Sequence, residues 1–316
     1  MHILIPFAAP AGPQCQEAIG HLQLPHLSEL ISLLTPAAQW QGTPEALTPL
    51  HERVRAQSLG VVGEDGLLPW AAADAHQLGL TKAHGDDGWA WITPCHWKVH
   101  ADHVAMSDTH QLDLSGEESE ALKLAMAPYF AEDGITLHML AHDTWLAFGD
   151  VFKKLPTASL SRVQGTKVDP WMPRQPQARP LRRLQNEMQM LLYTHPVNEP
   201  RIARGKLAVN SFWVSGTGKP STASRQAVPA LPISQVDTLQ AAALRDDASA
   251  WIAAWHTLDA STLRDLLPRA KASQPLQLTL CGERQAHSFT VQSGAWWNRV
   301  QRRFTAPEAV ELLKTL

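Results

Sequence analysis

Two stretches of this sequence concentrate residue types that could do chemistry. In the first, Cys95-His96 is followed by His100, Asp102 and His103, side chains able to ligate a divalent cation such as manganese or zinc. A helical path would put His96, His100 and His103 on one face. The β-branched and aromatic neighbours favour extended chain instead, which sets His96, His100 and Asp102 on one side and His103 on the other. Polar residues satisfied along a strand edge are the commoner arrangement, so the expectation is no resident cofactor, with a divalent metal as the alternative.

The second stretch is residues 195–218, HPVNEPRIARGKLAVNSFWVSGTG. His195, Asn198, Arg201 and Asn210 could form a polar pocket for a phosphate or carboxylate, the guanidinium offering a bidentate fork and the amides neutral donors. Gly216 and Gly218 could shape a backbone anion nest beside it. The same residues also suit plain architecture, with His195 and Asn198 capping a helix end and Asn210 tying strand to loop. A nucleotide P-loop is excluded, because Trp213 stands where glycine is required and Pro220 where Ser or Thr is required.

Other groups carry less. His138 and His142 flank a turn with no Ser or Cys in a nucleophile setting, so no catalytic residue is assigned. Trp296, Trp297, Arg299, Arg302, Arg303 and Phe304 interleave aromatic and basic groups as single-strand nucleic-acid surfaces do, although such a segment is more often packed on a core. Cys15, Cys95 and Cys281 are odd in number and far apart, which fits buried thiols in a reducing, cytoplasmic setting rather than a disulfide framework.

The elements that must position these groups follow from periodicity. Ile3 to Phe7 reads as a strand, and Leu27, Leu30, Ile31 and Leu34 as a helix after Pro25. Thr43-Pro44-Glu45 reads as the start of a second helix ending near Gly60, and Ala71 to Leu80 as a third. Gly85 to Gly88 is a turn before the strand Trp89 to Thr93. Ser115 and Glu118 make a capping box for a helix running to Pro128. Ile135 to Ala147 reads as a β-hairpin around His142-Asp143. Lys153 to Pro180 reads as a long surface loop, a lid or partner-binding segment. Leu181 to Leu192 is an amphipathic helix that must stop near His195, before Pro196. Val209 to Val214 is a strand, Lys219 to Pro232 a linker, Trp251 to Leu258 a helix, and Leu276 to Cys281 a strand. Helices alternating with strands predict an α/β layered sheet with flanking helices and an inserted hairpin. Three consecutive parts are expected: 1–106, a central 107–220, and 221–316, in one domain or two closely packed ones.

Composition bounds the function. The chain has 316 residues, 44% of them hydrophobic, enough for a sizeable core. Its net charge of −3 gives no global pull toward nucleic acid or anionic membrane. No segment approaches the roughly 18 uninterrupted apolar residues of a membrane helix, and MHILIPFAAP lacks the basic start of a signal peptide. Neither membrane nor nucleic acid is an expected partner.

The segment 195–218 resembles the HPVN, Arg, Gly, VN and GxG pattern of archaeal-type cofactor-independent phosphoglycerate mutases. With the preceding LQNEMQMLLYT it is similar to the RpfE-like regulatory proteins. The likeness extends more weakly through His96-Trp97, Asp102-His103-Val104, Leu112 to Leu122 and the hairpin, over about two thirds of the chain. It implies an alkaline-phosphatase-like core and a link to small phosphorylated or carboxylated ligands or a protein partner. An active mutase of that kind needs an early Asp-Gly metal motif beside a phosphorylatable hydroxyl, a D-x-x-x-H pair and a G-D-H strand end. Here the first strand ends Ile5-Pro6-Phe7-Ala8, and the late one reads Leu280-Cys281-Gly282-Glu283-Arg284. Asp246, Asp247 and Asp259 are the nearby carboxylates, with His256 the single histidine among them. Two-metal phosphoryl transfer clamps both reacting oxygens between cations, so the resemblance with these departures implies a catalytically degenerate protein with a regulatory or ligand-sensing role; the alternatives are an active metal-dependent phosphomutase or phosphoesterase using His96, His100, Asp102 and His103, and a nucleic-acid adaptor working through the C-terminal basic-aromatic patch.

Overall fold

The computed structural model describes residues 1–82, 87–220, 231–291 and 308–316. Its strands in chain order are β1 (His2–Ala9), β2 (Thr35–Gln41), β3 (Gly88–Cys95), β4 (Trp97–Val99), β5 (Val104–Met106), β6 (Thr136–Ala141), β7 (Thr144–Gly149), β8 (Ser211–Gly218), β9 (Ile233–Gln235), β10 (Gln277–Gly282) and β11 (Gln285–Thr290). The helices are α1 (Pro13–Ala18), α2 (Pro25–Leu33), α3 (Leu50–Ser58), α4 (Trp70–Gln77), α5 (Gly116–Glu132), α6 (Leu160–Val163), α7 (Arg179–Tyr193), α8 (Asn198–Ala203), α9 (Gln240–Leu244), α10 (Ala248–Leu258) and α11 (Arg264–Lys271), with a last helix at Ala309–Lys314. The α/β class read from the sequence is what the chain adopts.

Two compact units result, one of Met1–Glu45, Pro49–Gly60 and Ala227–Leu316, the other of Ala46–Thr48 and Val61–Gln226. The three consecutive parts read from the sequence are therefore not the compact units: both ends of the chain build the first, because β1 pairs in parallel with β10 and with β9. In this unit the strand order is β2-β11-β10-β1-β9. Alternation along β1 feeds two cores. Ile3 and Ile5 join the layer with α2, α10 and α11, including Trp251 and Trp255, while Leu4 meets Leu50 and Val54 of α3.

The second unit is built on the antiparallel sheet β6-β7-β3-β8. Its hairpin is the expected one, β6 pairing with β7 from Thr136 to Thr144. One face packs on α5 and α7 through Leu122, Met126, Leu184 and Met188, and α4 covers Trp89 and Leu146 with Ala71, Ala72 and Ala75. Ser115 and Glu118 form the expected capping box, but α5 continues through Pro128 to Glu132.

Three further readings change. The helix expected from Thr43 begins at Leu50, because the Asp65 carboxylate takes the backbone N–H groups of Leu47 and Thr48 at 2.9 and 2.8 Å. Residues 153–168 are not a surface loop, whereas 169–177, none of them buried, stay at the surface. Leu155, Thr157, Ala158, Arg162, Val163, Gln164 and Val168 are buried, and Ala158, Val163 and Val168 pack against Cys95, Met106 and Trp213. Irregular backbone is tolerated inside because its polar groups are answered: the Trp213 indole donates to Ala158 O at 2.9 Å and Thr217 Oγ1 to Leu155 O at 2.7 Å. The polar loop expected after His195 contains α8, its Pro200 lying in the first turn where a missing N–H costs nothing. The expected turn from Gly85, the linker after Lys219 and the Trp296–Phe304 patch fall wholly or largely outside the described residues. Among the described residues no helix is long and apolar enough to cross a membrane.

Candidate functional site

The 195–218 segment is held by its own polar atoms. Asn198 is buried; its amide donates to Leu192 O and Val209 O, both at 2.8 Å, and its Oδ1 accepts from Val209 N at 2.8 Å. It thus fastens the end of α7 to the approach of β8. His195 Nδ1 accepts from Val197 N at 3.3 Å within the same turn, and burial pushes its pKa down. Arg201 is completely buried, and all three guanidinium nitrogens are bonded to protein. Nε donates to Leu207 O at 3.0 Å, one terminal nitrogen to Glu118 Oε2 at 2.5 Å, and the other to Leu112 O.

Glu118 closes this cluster from α5. Besides Arg201 it accepts from Arg204 at 3.0 Å and from Ser115 N at 3.0 Å. Burial alone would raise its pKa; the Ser115 N–H and the two guanidinium groups more than reverse that and hold the carboxyl below its usual range. Each guanidinium nitrogen of Arg201 finds a protein acceptor without an outside anion. The arrangement is a clasp between α5, α8 and the start of β8.

The two glycines serve close packing. Gly216 has φ +64°, and a Cβ there would stand 2.7 Å from the Trp91 ring; at Gly218, φ +148°, it would stand 2.9 Å from Pro69. Between them Thr217 is buried and bonded to Gly66 O and Leu155 O. Asn210 ties strand to loop, its Oδ1 accepting from Trp97 N at 2.7 Å and its Nδ2 donating to Trp97 O at 2.9 Å.

The 96–103 residues are split by these contacts. His96 Nδ1 donates to Ala208 O at 2.8 Å. His100 and His103 stack at the tip of the β4–β5 hairpin, ring centroids 4.5 Å apart and planes 11° from parallel, and His103 Nδ1 bonds Asp102 at 2.6 Å. Stacked rings hold their lone pairs parallel rather than converging on one ion. Among the described residues no group of three or more His, Cys, Asp or Glu is arranged to hold a metal, so His96, His100, Asp102 and His103 do not assemble as a ligand set. Burial pushes the Cys95 and Cys281 thiols up, and that of Cys15 up to about 12, away from metal-binding thiolates.

In parallel α/β sheets ligands gather at the carboxyl ends of the strands. For β1 that end is Phe7-Ala8-Ala9. The pairing with β10 slips between Ile5 and Ala9, and Phe7 adopts φ 56°, a left-handed conformation that costs an aromatic residue energy. Its ring lies 5.1 Å from His51, and its carbonyl accepts the Trp251 indole N–H at 3.2 Å. β10 ends in Gly282, beside Glu283 and Arg284. The three aspartates that could have substituted as metal ligands are helix caps. Asp246 accepts from Gln14 N and Cys15 N, Asp247 from Ala250 N, and Asp259 from His26 N and Leu27 N. These donors do not fit a two-metal phosphotransfer centre.

One arrangement escaped the sequence reading. Asp259 also bonds the His26 ring, at 2.8 Å, across 233 positions of chain; no local pattern signals a pairing of that range.

No protein-family model matches the chain, and no curated protein matches it. Among solved structures it is similar to a cofactor-independent phosphoglycerate mutase from Thermoplasma acidophilum, at 14% identity and TM-score 0.35, with 93% of this chain and 89% of that one covered. It is also similar to the PH0037 protein from Pyrococcus horikoshii, at 10% identity and TM-score 0.45, covering 99% of this chain and 95% of that one.

Proposed function

We propose that this chain is a phosphoglycerate-mutase-like cytoplasmic protein that has lost phosphotransfer and acts by binding, in a regulatory or ligand-sensing role toward a small phosphorylated or carboxylated ligand or a protein partner. The reading rests on the sequence pattern of residues 195–218 for kinship and on one structural observation for the loss. At the carboxyl end of β1, where a carboxylate and a phosphorylatable hydroxyl would be needed, Phe7 turns left-handed and lays its ring near His51. The nearby aspartates are spent on helix N-termini. A phosphoryl group in flight carries charge that only cations or a dense set of donors can hold, and the nearby carboxylates that would recruit metal cations are already engaged by backbone N–H groups.

The test pairs turnover with binding. Purified protein is incubated with 3-phosphoglycerate, with and without manganese, and product is followed by phosphorus NMR; thermal melting is recorded in parallel with each phosphoglycerate. No interconversion is expected in either condition, with a ligand-dependent rise in melting temperature. Manganese-dependent interconversion would overturn the proposal.

A further inference from the structure

α10 and α11 form one continuous helical run interrupted by a π-helical turn, Asp259–Leu263. Such turns insert an extra residue, re-aim the side chains around them, and recur at functional positions. Here the turn carries the buried Asp259 carboxylate to the start of α2, where Oδ1 accepts from Leu27 N at 2.8 Å and Oδ2 from His26 N at 3.2 Å. Oδ2 also meets His26 Nδ1 at 2.8 Å. A carboxylate already accepting backbone N–H groups calls for a donor from the ring, so the proton sits on Nδ1 and the lone pair on Nε2. The His26 side chain is 31% exposed, and Nε2 has no protein partner among the described residues.

This is the orienting half of a catalytic triad without its hydroxyl: a buried carboxylate fixes the tautomer and stands ready to stabilise an imidazolium. One imidazole is too few ligands for a metal, and no Ser, Thr or Cys among the described residues is bonded to Nε2, so the nucleophile on offer is the ring itself. We propose that His26 Nε2 is a phosphoryl-acceptor site, modified by small donors of the phosphoramidate class. The donor reacts in its N-protonated form: the Nε2 lone pair attacks phosphorus, the P–N bond breaks, and neutral ammonia leaves with the proton its nitrogen already carried. The ring becomes a phosphoimidazolium whose Nδ1–H and positive charge face Asp259. Glu29, one turn along α2, would repel the incoming dianion, but Lys271 of α11 pairs with it at 2.8 Å and cancels that charge. The site is independent of the binding role proposed above, and its failure would leave that reading untouched.

The full-length protein is incubated with phosphoramidate near neutral pH and mapped by mass spectrometry under alkaline conditions. Acid-labile phosphate is expected on His26 ahead of the other 14 of the 15 histidines, and His26→Gln removes it. Asp259→Asn, which removes the charge assistance behind the ring, is expected to slow labelling about tenfold. Because that variant also loosens the α2 cap, nitrogen NMR of the wild-type ring gives a second readout, expected to report the Nδ1–H tautomer. No labelling, labelling spread evenly over the histidines, an unchanged rate in a folded Asp259→Asn protein, or an Nε2–H tautomer would each overturn the proposal.

Discussion

Arg201 and Phe7 occupy opposite regimes. Around Arg201 a charge is wholly buried and every neighbour answers it, with Glu118 supplying the counter-charge and Leu112 and Leu207 the carbonyls. At Phe7 the backbone is strained, and an aromatic ring stands where the resemblance implies a carboxylate. The recognisable sequence pattern thus lies where the fold needs polar atoms inside, and the departures that motivate the proposed loss of phosphotransfer lie at the strand end.

The strongest way to break this comparison is Arg201→Ala. It would leave the Glu118 carboxylate without its buried partner, and the expected loss of unfolding free energy is about 3–5 kcal/mol, read by urea titration of tryptophan fluorescence. Lysine should not rescue it, since one ammonium cannot reach three acceptors spread across a planar fork. A loss below about 1 kcal/mol, the worth of an exposed pair, would mean that the clasp does not hold α5 to α8.

Next in size is Gly216→Ala, best set against Gly205→Ala. Both glycines have positive φ, +64° and +73°, but a Cβ at 216 would stand 2.7 Å from the Trp91 ring while one at 205 meets nothing within 4 Å. The left-handed conformation costs an alanine roughly 1–2 kcal/mol at either site, and overpacking adds about 1–3 kcal/mol at 216 alone. Equal losses at the two positions would show that Trp91 yields and that Gly216 serves backbone geometry only.

Local signals made much of this legible. The Ser115–Glu118 box, the Trp251 and Trp255 helix face, the 136–149 hairpin and the first strand all follow from spacings of a few residues, the range over which periodicity and capping act. What stayed hidden is long-range or irregular. Residues 153–168 show no period because they enter the interior as turns fastened by hydrogen bonds, and a Pro- and Ser-rich stretch of that kind reads as surface. Two of the three partners of Arg201 lie 83 and 89 positions upstream, so the sequence exposes the arginine but not whether those acceptors are protein or ligand. Nothing about an aromatic residue in a β-prone run announces a positive φ at Phe7.

The other end of β1 offers a milder contrast. His2 is buried, and its Nε2 meets Thr279 Oγ1 at 2.8 Å; that hydroxyl donates to Ser288 Oγ at 3.0 Å, so the histidine is the donor in the first bond. Burial pushes the His2 pKa down to about 4. The unfolded chain therefore takes up this proton at higher pH than the native one does. The contribution is fully present above about pH 6.5, falls as pH drops toward about 4, and levels off below, with a limiting slope of about 1.4 kcal/mol per pH unit. Urea midpoints at pH 7, 6 and 5 should fall for the wild type more steeply than for His2→Gln; parallel curves would show that His2 titrates as an ordinary surface histidine.

The smallest effect is expected at the strand end itself, from Phe7→Asn. Asparagine tolerates the left-handed region, so the substitution recovers part of the roughly 1–2 kcal/mol that conformation costs a phenylalanine. It forfeits the ring contact with His51, an aromatic pairing worth about 0.5–1.5 kcal/mol. The two terms oppose each other, and a net change within about 1 kcal/mol is expected from the same urea titration. Clear stabilisation would mark Phe7 as a strained position kept for something other than folding. A loss above about 2 kcal/mol would instead show that the ring on His51 is what this end of the sheet is built around; Phe7 would then be a packing anchor, alike in kind to the Arg201 clasp rather than its opposite.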